Sequence, residues 1–550
     1  MIRFPATAAA VSALLVLACA SPVAAGAEAP VVQAPAGAVR GEALDGVNVF
    51  RGIPYAAPPT GQRRWRPPVP ADGWRGVRDA TRFGPACHQP PSRPGSIYAP
   101  ADIPRMSEDC LSLNVWAPEG ATDAPVFVWI HGGSLTGGTG ADPMYDGAAM
   151  AAEGVVVVTI NYRLGVLGYL AHPDLSAESP DGVSGNYGLL DQIEALRWVQ
   201  RNIAAFGGDP GNVTVAGESA GALSVMYLMA APDAHGLFHK AIAQSAYMIS
   251  TPALRETVHG TPSAEETGLN LSRQLEVRGL PRLRAMDPQA LTVGAAMAGY
   301  FPLGAVDGKV LPAQLVEVFD RGQQAQVPIL AGFNEGEIRS LRFLLPPPPA
   351  DAATYEAQIR ARYGDLAEAM LARYPGDNLD EAMLATTRDA MYGWTAERLV
   401  RSQTAQGHPS YLYFFNHSYP AADAAGLHAF HAAELPYVFG TFAGLAPNWP
   451  AIPDTPGEQA LSEAMMDYWL GFVRDGAPAA EGQPAWPAYG EDRGYIAFDG
   501  VPSAGEHLMP GMFELVETVV CRRRAQGDTP WHWNVGVAAP PLPAGGQGCP

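Results

Sequence analysis

Gly217-Glu218-Ser219-Ala220-Gly221 fits the pattern G-x-S-x-G. A serine hydroxyl attacks a carbonyl only when a base removes its proton and its Oγ stands clear of the chain. The pattern supplies that exposure when the serine occupies a sharp turn from a strand into a helix. Both elements are predicted here. Asn212-Val213-Thr214-Val215-Ala216 reads as a strand, and Ala222 to Ala230 as a helix starting near Gly221. Attack on a carbonyl builds negative charge on its oxygen, so donors must already point at that place. His131-Gly132-Gly133-Ser134 follows directly on an earlier apolar run and is an H-G-G-type turn with bare backbone N–H groups. The expected donors are the N–H groups of Gly133, Ser134 and Ala220. Ala220 also opens its helix, where the dipole favours an anion.

The elements that must position these residues alternate along the chain. Val126 to Ile130 and Val155 to Ile160 are continuous β-branched or aromatic runs, suited to strands buried on both faces. Asp191 to Phe206 places Ile193, Leu196, Val199 and Ile203 at steps of three or four, one buried helix face. Later strands are predicted at Val327 to Ala331 and Tyr411 to Phe415. This order predicts an α/β chain with a large, mostly parallel central sheet, helices on both faces and sizeable insertions. Residues 28–538 read as a single domain. Pro346 to Pro349 reads as a stiff surface loop, and 539–550 as a Pro/Gly-rich tail along the surface.

Composition narrows the function classes. The 550 residues carry 35 basic and 55 acidic side chains, a net charge of −20. That argues against a nucleic-acid partner, which needs clustered Lys and Arg, and against docking on anionic lipid. Residues 1–27 read as a cleaved signal peptide: Arg3, a small or apolar run from Ala6 to Ala20, then small-residue cleavage sites. The chain is thus expected to be secreted or periplasmic, with lipid anchoring through Cys19 a minor alternative. No other run is long enough to span a membrane. Export leaves Cys87, Cys110, Cys521 and Cys549, an even number that suggests disulfides. Of three possible connectivities, Cys87–Cys110 with Cys521–Cys549 closes the two shortest loops and is preferred. No cysteine spacing suits zinc, and no cofactor is implied.

Further motifs carry a resemblance. Phe50-Arg51-Gly52-Ile53-Pro54-Tyr55, Ser107-Glu108-Asp109-Cys110-Leu111-Ser112-Leu113-Asn114-Val115, Asn161-Tyr162-Arg163-Leu164-Gly165 and Phe206-Gly207-Gly208-Asp209-Pro210 all lead into Gly217 to Gly221. From about residue 30 to 520 the chain resembles the type-B carboxylesterase family, which includes bacterial carboxylesterases and the cholinesterases. The resemblance implies an α/β-hydrolase fold, a Ser-Glu-His triad and a bridge between Cys87 and Cys110. The family's G-x-N-x-x-E pattern falls on Gly332-Phe333-Asn334-Glu335-Gly336-Glu337, which implies Glu337 as the acid, with Glu335 the alternative. Ile338 stands where the family usually has Gly. The run from His431 to Gly440 matches the family's histidine segment, so the resemblance implies His431 as the base. Ser219, Glu337, His431 is the chain order expected of this fold.

The implied activity is hydrolysis of a small-molecule carboxylic ester through an acyl-enzyme. The alternatives are an acyltransferase of the same fold and a catalytically silent binding module; retention of all three triad residues counts against the second. Neutral His431 is required, so activity is expected to fall below a pH of about 6 to 7. His428, His431 and Glu434, spaced by three, are set aside as metal ligands because the resemblance accounts for His431. Glu218, beside the nucleophile, is weighed as a second acid and read as a buried structural carboxylate hydrogen-bonded near the triad, with Ser245 as support. The loop from Cys87 to Cys110 has Tyr98 as its only aromatic residue, which argues against a choline ester, since the cholinesterases place a Trp there. Arg339 is weighed as a partner for an acidic acyl group against a structural ion pair. Natural substrate and oligomeric state are not read.

Overall fold

The computed structural model describes residues 1–2, 29–100, 102–532 and 534–545. Apart from its first two residues, the expected signal peptide lies outside the described residues, as do Cys19 and Cys549. One sheet of eleven strands dominates. In chain order they are β1 (Glu42–Leu44), β2 (Val47–Pro54), β3 (Ser112–Pro118), β4 (Ala124–Ile130), β5 (Val156–Ile160), β6 (Gly208–Glu218), β7 (Lys240–Gln244), β8 (Ile329–Asn334), β9 (Ser410–Phe415), β10 (Gly494–Asp499) and β11 (Val501–Glu506). Their order in space is 11-10-9-8-7-6-4-5-3-2-1. The stretch from β10 to β5 is parallel throughout, and antiparallel strands finish both edges. This is the α/β-hydrolase fold.

Alternate residues of the central strands feed two separate cores. Val126, Val128 and Ile130 join the core beneath helices α1 (Tyr187–Asn202), α2 (Ala220–Ala230) and α3 (Trp394–Ala405). Phe127 and Trp129 join the opposite core with Leu461, Met465 and Trp469 of α4 (Pro456–Asp475). Burial on both faces is why these strands read as unbroken apolar runs rather than alternating ones. The expected helix over 191–206 begins a turn earlier, at Tyr187, and closes as a 3-10 turn over Ile203–Phe206. The described part of the C-terminal tail is not merely superficial: Ala539 is fully buried, and Pro540 O accepts a bond from Arg523.

Several of the recognised motifs are joints. Arg64 makes a two-pronged pair with Glu108, at 2.6 and 2.7 Å. Asn114 Oδ1 accepts the N–H of Gly52 at 2.9 Å. Buried Arg163 meets Asp191 through Nε, Nη2 and its own backbone N–H. The Cys87–Cys110 disulfide is formed. Cys521 is also disulfide-bonded, and its expected partner Cys549 lies outside the described residues.

Strand register brings the chemistry to one edge. Ile130 pairs with Gly217, and Gln244 pairs with both Glu218 and Gly332, so β4, β6, β7 and β8 end side by side. Ligands of parallel sheets bind at this carboxyl edge. Here α2 crosses directly behind β4: a Cβ on Gly221 would lie 2.0 Å from Ile130 O. Gly221→Ala is therefore expected to lower stability by roughly 1–3 kcal/mol, the cost of overpacking a filled interior. A urea-unfolding midpoint unchanged from the parent would show that α2 and β4 can separate freely.

Candidate active site

Strand β6 runs two residues further than the apolar pattern indicates, to Glu218, and α2 starts at Ala220. Ser219 is the whole connection. Its backbone has φ 56° and ψ −121°, a region that a residue bearing a Cβ seldom occupies. The turn is clamped by Ser219 N–H donating to Gln244 O at 3.0 Å and by Leu223 N–H donating to Ser219 O at 2.9 Å.

The turn after β4 lies over this elbow. A Cβ on Gly132 would meet Glu218 O and Oε2, each at 2.9 Å, and one on Gly133 would meet Gly137 O at 2.4 Å. Gly133, Ser134 and Leu135 all have positive φ. Gly133 O accepts from the N–H groups of Thr136 and Gly137, which closes the turn on itself. His131 is buried and stacks on Tyr162, with ring centroids 4.6 Å apart. Burial pushes its imidazole down to about 4, so it is neutral.

Glu337 and His431 come from loops that follow β8 and β9. Glu337 is fully buried; Oε1 accepts from Asn334 N–H at 2.9 Å, and Oε2 stands 2.5 Å from His431 Nδ1. Glu335 faces the other way, toward Arg388 and Arg339. The Ile338 that replaces the usual Gly is accommodated as a buried core residue. The two loops are joined by a short parallel bridge between Gly336 and Phe430.

The other nitrogen of His431 has a carboxylate partner too. Nε2 lies 3.0 Å from Glu218 Oε1. Glu218, expected buried near the triad, touches the imidazole itself. Burial alone would disfavour the imidazolium, but Glu218 and Glu337 outweigh it and push His431 up to about 9. Burial likewise pushes Glu218 up to about 8 despite the attraction of His431. The two titrate as a pair, and both shifts are upward.

Sequence reasoning missed the groups behind these side chains. Glu434 Oε2 accepts from Asn334 Nδ2 at 2.6 Å, and its Oε1 from Gln244 Nε2 at 3.0 Å. Gln244 Oε1 in turn accepts from Trp469 Nε1. Burial pushes Glu434 up to about 7. Its place three residues after His431, within the family's histidine run, is the one signal for it in the sequence. His428 pairs with Asp423 at 3.1 Å. Ser245 is buried at the end of β7 with φ 48°, its N–H donating to Gly332 O. Arg339 spends its guanidinium on Glu381, at 2.8 and 2.9 Å, which favours the structural ion pair.

Ser219, Glu218, His431 and the turn from Gly132 to Ser134 line one cavity of about 430 Å³. The lining also includes the aromatic side chains of Tyr98, Tyr145, Tyr247, Phe343 and Trp449.

Comparison with known proteins agrees with this architecture. The model of the carboxylesterase family matches residues 28–509. A fumonisin B1 esterase of Sphingopyxis macrogoltabida is 39% identical over 494 residues, covering 86% of this chain and 87% of its own. A para-nitrobenzyl esterase of Bacillus subtilis strain 168 is 37% identical over 467 residues, covering 83% and 92%. A solved structure of a PNB esterase superposes with a TM-score of 0.77 at 34% identity, covering 89% of this chain and 99% of that one. With its fold, its cavity and its matched length all in agreement, the chain belongs to the carboxylesterase family and is a carboxylic-ester hydrolase.

Proposed function

We propose that hydrolysis proceeds through Ser219, His431 and Glu337 and a covalent acyl-enzyme. The observation that carries this reading is the buried 2.5 Å contact of Glu337 with His431 Nδ1, beside the cavity that Ser219 enters on a positive-φ turn. Ser219 Oγ attacks the ester carbonyl carbon while His431 Nε2 takes its proton. The oxygen of the tetrahedral intermediate lies toward the N–H groups of Gly133, Ser134 and Ala220, in a site where such donors weigh more than in water. His431 passes the proton to the leaving alkoxide as the C–O bond breaks. Water then attacks the acyl-enzyme by the same route, releasing the acid and restoring Ser219. Glu337 holds the ring tautomer and stabilises the imidazolium.

The relatives are named for a fumonisin ester and a para-nitrobenzyl ester. An apolar, aromatic cavity wall suits esters with a hydrophobic portion, and Arg339 is not available to an acidic acyl group. The chain is further proposed to work outside the cytoplasm; the buried Cys87–Cys110 bridge supports an oxidising compartment. Sequencing the N-terminus of the secreted product is expected to show cleavage near residue 27.

The first test is hydrolysis of p-nitrophenyl acetate, butyrate and octanoate. Ser219→Ala is expected to remove the burst and the turnover, and Glu337→Gln to lower kcat on the order of 10³- to 10⁴-fold. Turnover by Ser219→Ala equal to the parent would overturn the mechanism.

The pH profile tests the role of Glu218. Proton acceptance needs a neutral imidazole, and an anion on Nε2 stabilises the charged one. The acidic limb of kcat/KM is therefore expected well above the ordinary histidine range, toward the value of about 9, rather than at the 6 to 7 of an unperturbed ring. Glu218→Gln removes that anion and is expected to move the limb to lower pH. A limb in the same place in both proteins would sink this account of Glu218.

A further inference from the structure

The loop closed by Cys87 and Cys110 touches three of the segments around the site: the turn after β4, the loop of Glu337 and the loop of His431. Its base is fastened by the disulfide and by Ser107 N–H donating to Ala86 O at 3.0 Å. Near its start, Gln89 pairs with one residue of the turn after β4. Its Oε1 accepts Gly138 N–H at 2.9 Å and its Nε2 donates to Gly138 O at 3.0 Å. Gln89 is itself buried.

Nine residues on, the Tyr98 hydroxyl lies 2.9 Å from His431 O and 2.6 Å from Ser340 Oγ. A phenol has one proton, and a carbonyl oxygen can only accept. Tyr98 therefore donates to His431 O and accepts from the Ser340 hydroxyl. One oxygen thus bridges the histidine loop and the segment three residues past Glu337. The Tyr98 ring also stands edge-on to the His431 ring, centroids 6.5 Å apart, and edge-on to Trp449 at 6.0 Å.

The held atom matters. Ala432 has φ 67°, so the chain turns sharply just after His431. Holding the His431 carbonyl at that turn restrains its Cα–Cβ bond, while Glu337 on Nδ1 orients the ring, and together they set where Nε2 points. A displacement of about 1 Å at such a group can cost on the order of 10²-fold in rate.

Resting on the proposed roles of Ser219 and His431, we propose that Tyr98 is a positioning residue for His431, through which the disulfide-closed loop sets the aim of Nε2. Tyr98 also borders the cavity, so a substrate-binding role must be separated from a positioning one. The hydroxyl alone is removed in Tyr98→Phe, which keeps the ring packing. Ser340→Ala removes the hydroxyl that donates to Tyr98.

The test uses two readouts on the full mature chain. The first is kcat and KM for p-nitrophenyl butyrate. The second is the rate at which diethyl p-nitrophenyl phosphate phosphorylates Ser219, releasing p-nitrophenolate while His431 takes the serine proton. Complete labelling also counts the folded sites in each variant. Tyr98→Phe is expected to lower kcat and the phosphorylation rate together, by roughly 10- to 100-fold, with KM within about twofold and full final labelling. Ser340→Ala is expected to shift both rates in the same direction by less. Parent-like kcat in Tyr98→Phe, or a change confined to KM, overturns the positioning role. A lowered melting temperature with an unchanged rate per labelled site also overturns it, because the hydroxyl would then serve stability alone. Labelling of Ser219→Ala equal to the parent would instead overturn the triad reading, and the inference with it.

Discussion

The site depends on one backbone conformation, the positive-φ turn at Ser219. Such a conformation costs about 1–3 kcal/mol and persists only where the surroundings overdetermine it. Here the surroundings do so on every side. Strand β6 is paired on both flanks, α2 is buried along its whole length, and the Ser219 N–H is bound by Gln244 of the neighbouring strand. Glycines at 132, 217 and 221 allow backbone contacts that a Cβ would break. The two-sided core is thus what lets the proposed nucleophile stand on a strained turn without the turn relaxing.

Electrostatics forms the second constraint. Three buried carboxylates, Glu218, Glu337 and Glu434, crowd one imidazole. Isolated charges at that depth would be very costly. Each carboxylate instead has partners: Asn334 N–H and His431 for Glu337, Asn334 and Gln244 side chains for Glu434, and His431 for Glu218. The result is a histidine that holds its proton to higher pH than a free one. In the proposed mechanism that property serves return of the proton to a leaving group and opposes its first acceptance from serine.

The motifs shared with the family divide by physical task. Glu218, Ser219 and the turn after β4 line the cavity. The pairs Arg64–Glu108, Asn114–Gly52 and Arg163–Asp191 hold the antiparallel edge, the disulfide loop and α1 against the sheet. Their contribution to the chemistry is indirect: they fix the frame on which the loops are hung.

The proposed nucleophile, the H-G-G-type turn and the parallel sheet are legible in the sequence, because each is a local matter. A strand, a tight turn and a helix are written in consecutive residues, and burial on both faces leaves an unbroken apolar run. The proposed acid and base are legible only through family resemblance; no periodicity near residues 337 or 431 marks them, since loops carry no repeating pattern. The rest follows from how the chain packs. Choosing Glu337 over Glu335 depends on which carboxylate a loop turns inward. The contact of Glu218 with Nε2, the support of Glu434 by Asn334 and Gln244, and the hydroxyl of Tyr98 on His431 O join residues from about 100 to over 300 positions apart. Such contacts are set by strand order and register in three dimensions, which no local window of residues contains.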